Sequence, residues 1–437
     1  MRAGITLHWR QNTGSSRYYA TNKTEWFFKG KRLKIQFPPT ISKSPLEHLS
    51  PTLRSMQDII STTRLQQMMF DRNMTNPHIE AAKRASQVLY NSVLNDLDED
   101  KAGIGWMTDQ INWKHSALIG EYLLSSISGV ETALSTSALC NEKFRELELS
   151  QNMKIARVQN SDLNAKDPIP PELSTVFHSP NNELLHIFKD HSLISLAQAL
   201  DRLAAVTVAV GGFKEKLLHT DCGRILDIAA KAHKNGKSGN TLRPGIFADV
   251  GTAGRQEQNN LLGLFLDWQR HGPEDWLPWL RQYRSTIVHR APFVSWTAHT
   301  KGPHQNPGES VIRPFYLQPG WAESESMYRT ARKGIQDLLL MQPAHTILSG
   351  LTESTAQYCR SVLRYANELW SKRRANPELI VQAAGMWPEL ESSSKLSFKG
   401  YSPNLKMAGN FLAINPDRVK RLKATQLLDR PADKWRS

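Results

Sequence analysis

Between Glu183 and Val210 the chain reads ELLHIFKDHSLISLAQALDRLAAVTVAV. Within it Leu193, Leu196, Leu200, Leu203, Thr207 and Val210 recur at alternating steps of three and four residues. Only an α-helix places that spacing on a single side. Gly211-Gly212 follows, the residue type that ends helices most readily. A helix this apolar must be covered, either by other helices or by lipid. Its uncharged stretch, Leu203 to Phe213, has 11 residues, whereas a membrane span needs about 20. The expectation is therefore a core helix of a soluble protein, with no membrane partner.

The same period continues elsewhere. From Thr52 onward Leu53, Met56, Ile59 and Ile60 share a face, and apolar spacing resumes in AAKRASQVLYNSVL and from Trp113 to Leu124. Further helices are expected in KEKLLHTDCGRILDIAAKAH, from about Gln258 to Trp268, from Trp276 to about His289, from about Glu323 to Met341, and from Thr352 to Arg374. Strand alternation is rare, so the fold class is mainly α. Asn160 to Asn182 is rich in Pro, Asn, Asp and Ser and reads as a linker. The organisation predicted is a basic N-terminal arm (1–50) with a short strand in RLKIQF, an N-terminal helical region (51–160), a linker (161–182), a second helical domain (183–380) and a basic C-terminal tail (381–437).

Charge is concentrated at the ends. Of a formal net charge of +14, residues 1–50 and residues 395–437 each contribute +7, leaving the middle near neutral. Such ends suit loose, salt-sensitive attraction to a polyanion and give no sign of a basic groove in the centre. Cys140, Cys222 and Cys359 are far apart and odd in number, which fits neither a disulfide framework nor a thiolate metal site and suggests a reducing, cytoplasmic setting.

Most short motifs fail on inspection. GKS in AHKNGKSGNT has Lys231 where a phosphate loop needs glycine. His299 and His304 lack the helical spacing or companion carboxylate of a metal site, and no GxSxG elbow occurs. An arginine followed four to six residues later by a histidine occurs at Arg2–His8, Arg72–His78 and Arg284–His289, and roughly three such pairs are expected by accident. Context separates them. The first sits in the arm, and Pro77, directly before His78, breaks a helix where the motif would need one. Only Arg284 and His289 lie on an amphipathic helix, in which Trp276, Leu280, Tyr283 and Ile287 form the apolar face and beyond which Pro292 opposes continuation.

The stretch WLPWLRQYRSTIVHRAPF, with the later YCRSVLRYANELWSKRR, resembles the HEPN superfamily of α-helical domains. Under half of the chain is covered by this likeness. It implies a multi-helix domain of HEPN type preceded by the N-terminal helical region. It also implies RNA as partner, a homodimer whose two motifs meet at the interface, and metal-independent endoribonuclease chemistry with neither cofactor nor metal. Some relatives of this kind are toxins or defence proteins held by an antitoxin or regulatory partner; others are inactive nucleotide-binding or interaction modules. Carried over by position, Arg284 would stabilise phosphate and His289 would act as general acid or base. Tyr283, Ser285 and Arg290 would support them. Ser285 stands where asparagine or aspartate is more usual.

The residue types suit that chemistry. Imidazole exchanges protons near neutral pH, and a guanidinium fork matches two phosphate oxygens. Five residues, however, turn the two side chains about 140° apart on an ideal helix. They can converge only if the helix ends near His289 or if a two-fold mate supplies one of them. The alternative is structural: Arg284 paired with a carboxylate such as Asp267 or Asp275, and His289 on a C-terminal carbonyl.

Overall fold

A computed structural model describes residues 25–28, 31–34, 76–161, 176, 178–234, 248–249, 251–289, 295–299, 311–320, 335–382, 386–392, 396–398, 400–401 and 415–425. Backbone contacts group the chain into two units, one of residues 9–75 and one containing 76–437. In the first, β1 (Glu25–Phe28) and β2 (Lys31–Lys34) pair antiparallel, Trp26 opposite Leu33. The helix expected from Thr52 lies outside the described residues until Asn76.

The second unit is mainly helical, with eight α-helices among the described residues. They are α1 (Pro77–Asp96), α2 (Trp113–Ser161), α3 (Pro180–Gly211), α4 (Cys222–Lys234), α5 (Ala253–Leu266), α6 (Trp276–His289), α7 (Ala344–Ala375) and α8 (Pro416–Ala424). Very short strands occupy the connections: β3 (Leu97–Asp98) with β4 (Gly103–Ile104), β5 (Ala298–His299) with β6 (Val311–Ile312), and β7 (Phe315–Tyr316) with β8 (Leu339–Leu340).

Local chemistry sets the helix ends. Pro77 opens α1 rather than breaking a helix, because the first helical position has no use for an amide hydrogen. The Asn76 side chain caps it by accepting from the His78 amide at 2.9 Å. Helix α3 closes at Gly212, whose φ of 61° is the left-handed conformation that glycine adopts without strain. Its buried residues include Leu193, Leu196, Leu200, Leu203, Thr207 and Val210, the side marked by the sequence. This is also the one described helix long and apolar enough to cross a membrane, and most of that stretch is buried inside the protein.

Long helices α1, α2, α3 and α7 build the centre. Contacts of Asn76 with Glu353 and of Ser92 with Asn367 show α1 and α7 running parallel. Ser137 with Ser192, and Gly129 with Arg202, set α2 antiparallel to α3. One hydrophobic core extends from Ile79 on α1 to Ala424 on α8, so helices on both sides of 161–182 share a single core instead of forming two. Residues 162–175 themselves lie outside the described set.

Polar pins cross that core. Asn141 on α2 donates to Thr352 Oγ1 at 2.7 Å and accepts from Ser192 Oγ at 2.6 Å, while Ser137 bridges Ser192 and Thr352. Three helices are thereby held in one register, with each bond contributing roughly 1 kcal/mol. At the other end Arg373 of α7 is fully buried. It donates to the carbonyls of Ala209, Val210 and Ile380 and to Gln382 Oε1, capping the C-terminus of α3 with positive charge.

Two expectations need correction. The helix expected from Glu323 to Met341 is not one where it is described: Ile335–Leu338 is a 3-10 turn, and Leu339–Leu340 pairs with Phe315–Tyr316. A short apolar run without a polar face has no period to distinguish helix from strand. In the basic tail, α8 docks onto α2 through Arg418 and Arg421, which both donate to the Glu121 carboxylate. Part of the tail's charge is thus already matched within the chain.

Candidate functional site

Helix α6 carries the Arg–His motif, and its rotation is fixed by its aromatic face. Tyr283 is buried. It stacks on Trp279 (ring centroids 4.8 Å, 30° between planes) and meets Phe315 edge-on at 5.3 Å. Trp276 packs edge-on against Tyr358 of α7 at 6.2 Å. Thr286 donates to the Pro319 carbonyl at 3.2 Å. Burial, with Asp190 adding to it, pushes the Tyr283 phenol far above its usual range. Tyr283 is therefore a neutral packing residue that orients the helix.

With Tyr283 inward, Arg284 becomes half-buried. Its charge acts on Asp201 of α3, yet among the described residues it forms no hydrogen bond and no ion pair within 4 Å, and its buried Nε has no partner. The carboxylate that feels its charge is Asp201, beyond ion-pair distance. Asp267, one of the two acids suggested by sequence, pairs instead with Arg270 at 2.7 Å. Asp201 accepts from the Cys222 amide at 3.1 Å. Burial raises its carboxyl above the ordinary value, and this outweighs the opposing pull of that amide, Arg284 and Arg281.

Arg281, one turn earlier, reaches across the start of α4. A methyl group added at Gly223 would lie 2.0 Å from its Nη2 and 3.2 Å from an Asp221 carboxylate oxygen. The Arg281 side chain thus lies directly over Gly223, and a side chain there would displace it. Two arginines and two aspartates thus gather where α3, α4 and α6 meet. Neither Arg281 nor Asp201 was singled out by sequence. Both had a signal: Arg281 precedes Arg284 by three residues, the spacing of helical neighbours, and Asp201 is an acid inside the most apolar helix of the chain.

Ser285 is half-buried and His289 exposed in the last turn of α6. No hydrogen bond or ion pair joins Arg284 to His289 among the described residues. Arg290 lies outside them. The pair therefore occupies one helix, with the arginine turned toward α3 and the histidine toward solvent. No grouping of three or more histidine, cysteine, aspartate or glutamate side chains suited to a metal ion occurs among the described residues.

Cys222 and Cys359 are fully buried. Desolvation pushes the Cys222 thiol up to about 12 and raises Cys359 further, so neither is a nucleophile at neutral pH. Comparison of the chain with protein-family models, curated proteins and solved structures found no match.

Proposed function

We propose that the helical unit is of HEPN type, binds RNA, and cleaves it without a metal at a site completed by a second copy of the chain. The observation that carries this reading is the state of Arg284. A half-buried guanidinium with an unpartnered Nε, steadied by a nearby aspartate, is suited to receive phosphate oxygens. His289 is exposed on the same helix and available to a substrate held by a mate.

In this scheme His289 of one copy removes the proton of a ribose 2′-hydroxyl. The freed oxygen attacks the adjacent phosphorus while Arg284 of the other copy neutralises the growing charge on the phosphoryl oxygens. The bond to the 5′ oxygen breaks, and that oxygen takes up a proton. The products are a 2′,3′-cyclic phosphate and a 5′-hydroxyl, with no oxidant or metal needed. Ser285 can hydrogen-bond to the same phosphate group. An antitoxin or regulatory partner would act by covering this face.

A second reading is favoured by the position of Asp201. If the Arg284 charge serves only to offset that buried acid, the protein is a non-catalytic helical interaction or nucleotide-binding module. An assay of RNA cleavage in EDTA separates the two. Arg284→Ala and His289→Ala should each abolish cleavage, and unchanged cleavage in both rules out the catalytic reading. Mixing the two inactive variants in equal amounts and allowing exchange should restore about a quarter of wild-type activity, because half of the dimers regain one of two sites.

A further inference from the structure

The central charge, near zero by sequence, hides a local excess. On the surface formed by the parallel helices α1 and α7, a groove of about 310 Å³ is lined by Arg84 from α1 and by Arg360 and Arg364 from α7. All three side chains are exposed. None forms a hydrogen bond or an ion pair among the described residues, although surface arginines elsewhere in the molecule do so, such as Arg270 with Asp267 and Arg374 with Asp96. Glu368 is the single acid lining the groove.

Arg360 and Arg364 are four residues apart on one helix, so they are neighbours on its surface, and like charges at that spacing oppose helix formation. Arg84 adds a third positive charge from the adjoining helix. An anion placed among them would remove the repulsion. The rise between Arg360 and Arg364 is about 6 Å, on the scale of the distance between neighbouring phosphates along a single strand. Val88, 53% exposed, supplies an apolar floor beside them, suited to a sugar or base edge.

We infer that the α1–α7 groove is a backbone-binding track for single-stranded RNA, in which Arg84, Arg360 and Arg364 contact successive phosphates. The inference rests on the RNA-binding reading given above and adds the surface that holds the strand, separate from the residues assigned to cleavage. A guanidinium can satisfy two oxygens of one phosphate, and the groove's open shape admits a strand without regard to sequence.

The test is the salt dependence of binding. A fluorescent single-stranded RNA is titrated with the full-length chain at several salt concentrations, using His289→Ala as the background so that the strand stays intact. Replacing Arg84, Arg360 and Arg364 together by glutamine should reduce the slope of log affinity against log salt by about 2, the loss expected for three phosphate contacts on a single strand. A lysine triple variant should retain that slope. An unchanged slope in the glutamine variant overturns the groove while leaving RNA binding intact. Failure of the intact chain to bind RNA overturns both readings. Binding of polyglutamate that needs the three arginines, with RNA binding independent of them, overturns the inference in favour of an acidic protein partner. Since all three positions are exposed, unaltered thermal unfolding of the variant confirms that only the surface has changed.

Discussion

Two arginines in this protein illustrate different uses of one side chain. Arg373, where α7 meets the end of α3, is fully buried without a carboxylate, and its two Nη atoms reach four oxygens. Its guanidinium also lies 5.3 Å from the centre of the Trp106 ring. Burial lowers its pKa to about 10, which still leaves it charged at neutral pH. Arg284, where α6 meets the middle of α3, is half-buried, with Asp201 beyond ion-pair distance, and has none of these bonds. Arg373 leaves only its Nε unpartnered, whereas Arg284 makes no hydrogen bond among the described residues through any of its nitrogens. Burial alone does not identify a functional charge, and the useful distinction is whether the donors are already satisfied.

The largest effect should come from the first region. Arg373→Met leaves the carbonyls at the end of α3 without donors in a dry site, and should reduce stability by about 3–5 kcal/mol, measured by urea unfolding. A loss under about 1 kcal/mol would show that water replaces the guanidinium easily, and the contrast with Arg284 would collapse.

Next in size is the clasp between α1 and α7. Asp96 Oδ2 accepts from Trp370 Nε1 at 2.7 Å, from Trp106 Nε1 at 3.3 Å and from Arg374 Nη2 at 2.7 Å. Asp96→Ala should cost roughly 2–3 kcal/mol by stranding two indole donors and a charge, again read by urea unfolding. Since the RNA groove is formed by the same two helices, RNA affinity in this variant should fall only as the folded fraction falls.

Arg284→Met should alter stability by less than about 1 kcal/mol, since it removes an unpartnered donor along with the charge. RNA cleavage should fall by about a hundredfold or more if this donor stabilises the phosphoryl charge. A large loss of stability with cleavage retained would assign Arg284 to the fold, as with Arg373.

Smallest is a pH effect at Asp201. Its folded carboxyl holds its proton more tightly than in the unfolded chain. Below the unfolded value both states are protonated and no penalty exists. As pH rises through the window up to the folded value, the folded state loses stability. Asp201→Asn escapes this loss, so its stability relative to wild type should improve from about pH 4 to neutrality. Urea midpoints at the two pH values decide it. A relative stability that declines over that interval would mean that the charge attraction of Arg284 and Arg281 outweighs burial.

Much of the fold was legible because helices announce themselves locally. The stripe in α3 and the glycine pair at its end are written within a few residues of where they act. Pro77 was misjudged because the same ring that disrupts a helix interior favours its first turn, and only the position of the start distinguishes them. The run ending at Met341 was misjudged because three leucines in succession serve a helix and a strand equally. At the candidate site, sequence identified Arg284 and His289 and placed them on one helix. It supplied the wrong acids for the arginine, because Asp201 lies 83 positions earlier in the chain.

The sequence by itself determined a mainly α-helical protein, the apolar side of α3 and the helix that carries the Arg–His pair, since these follow from short-range periodicity and backbone preference. Tertiary structure alone decided that helices before and after residues 161–182 share one core, that Arg373 is spent on carbonyls while Arg284 is not, and that Arg84 joins Arg360 and Arg364 across a gap of hundreds of residues. The physical reason is that hydrogen bonds and charges act over a few ångströms, and only the folded chain says which distant groups come that close.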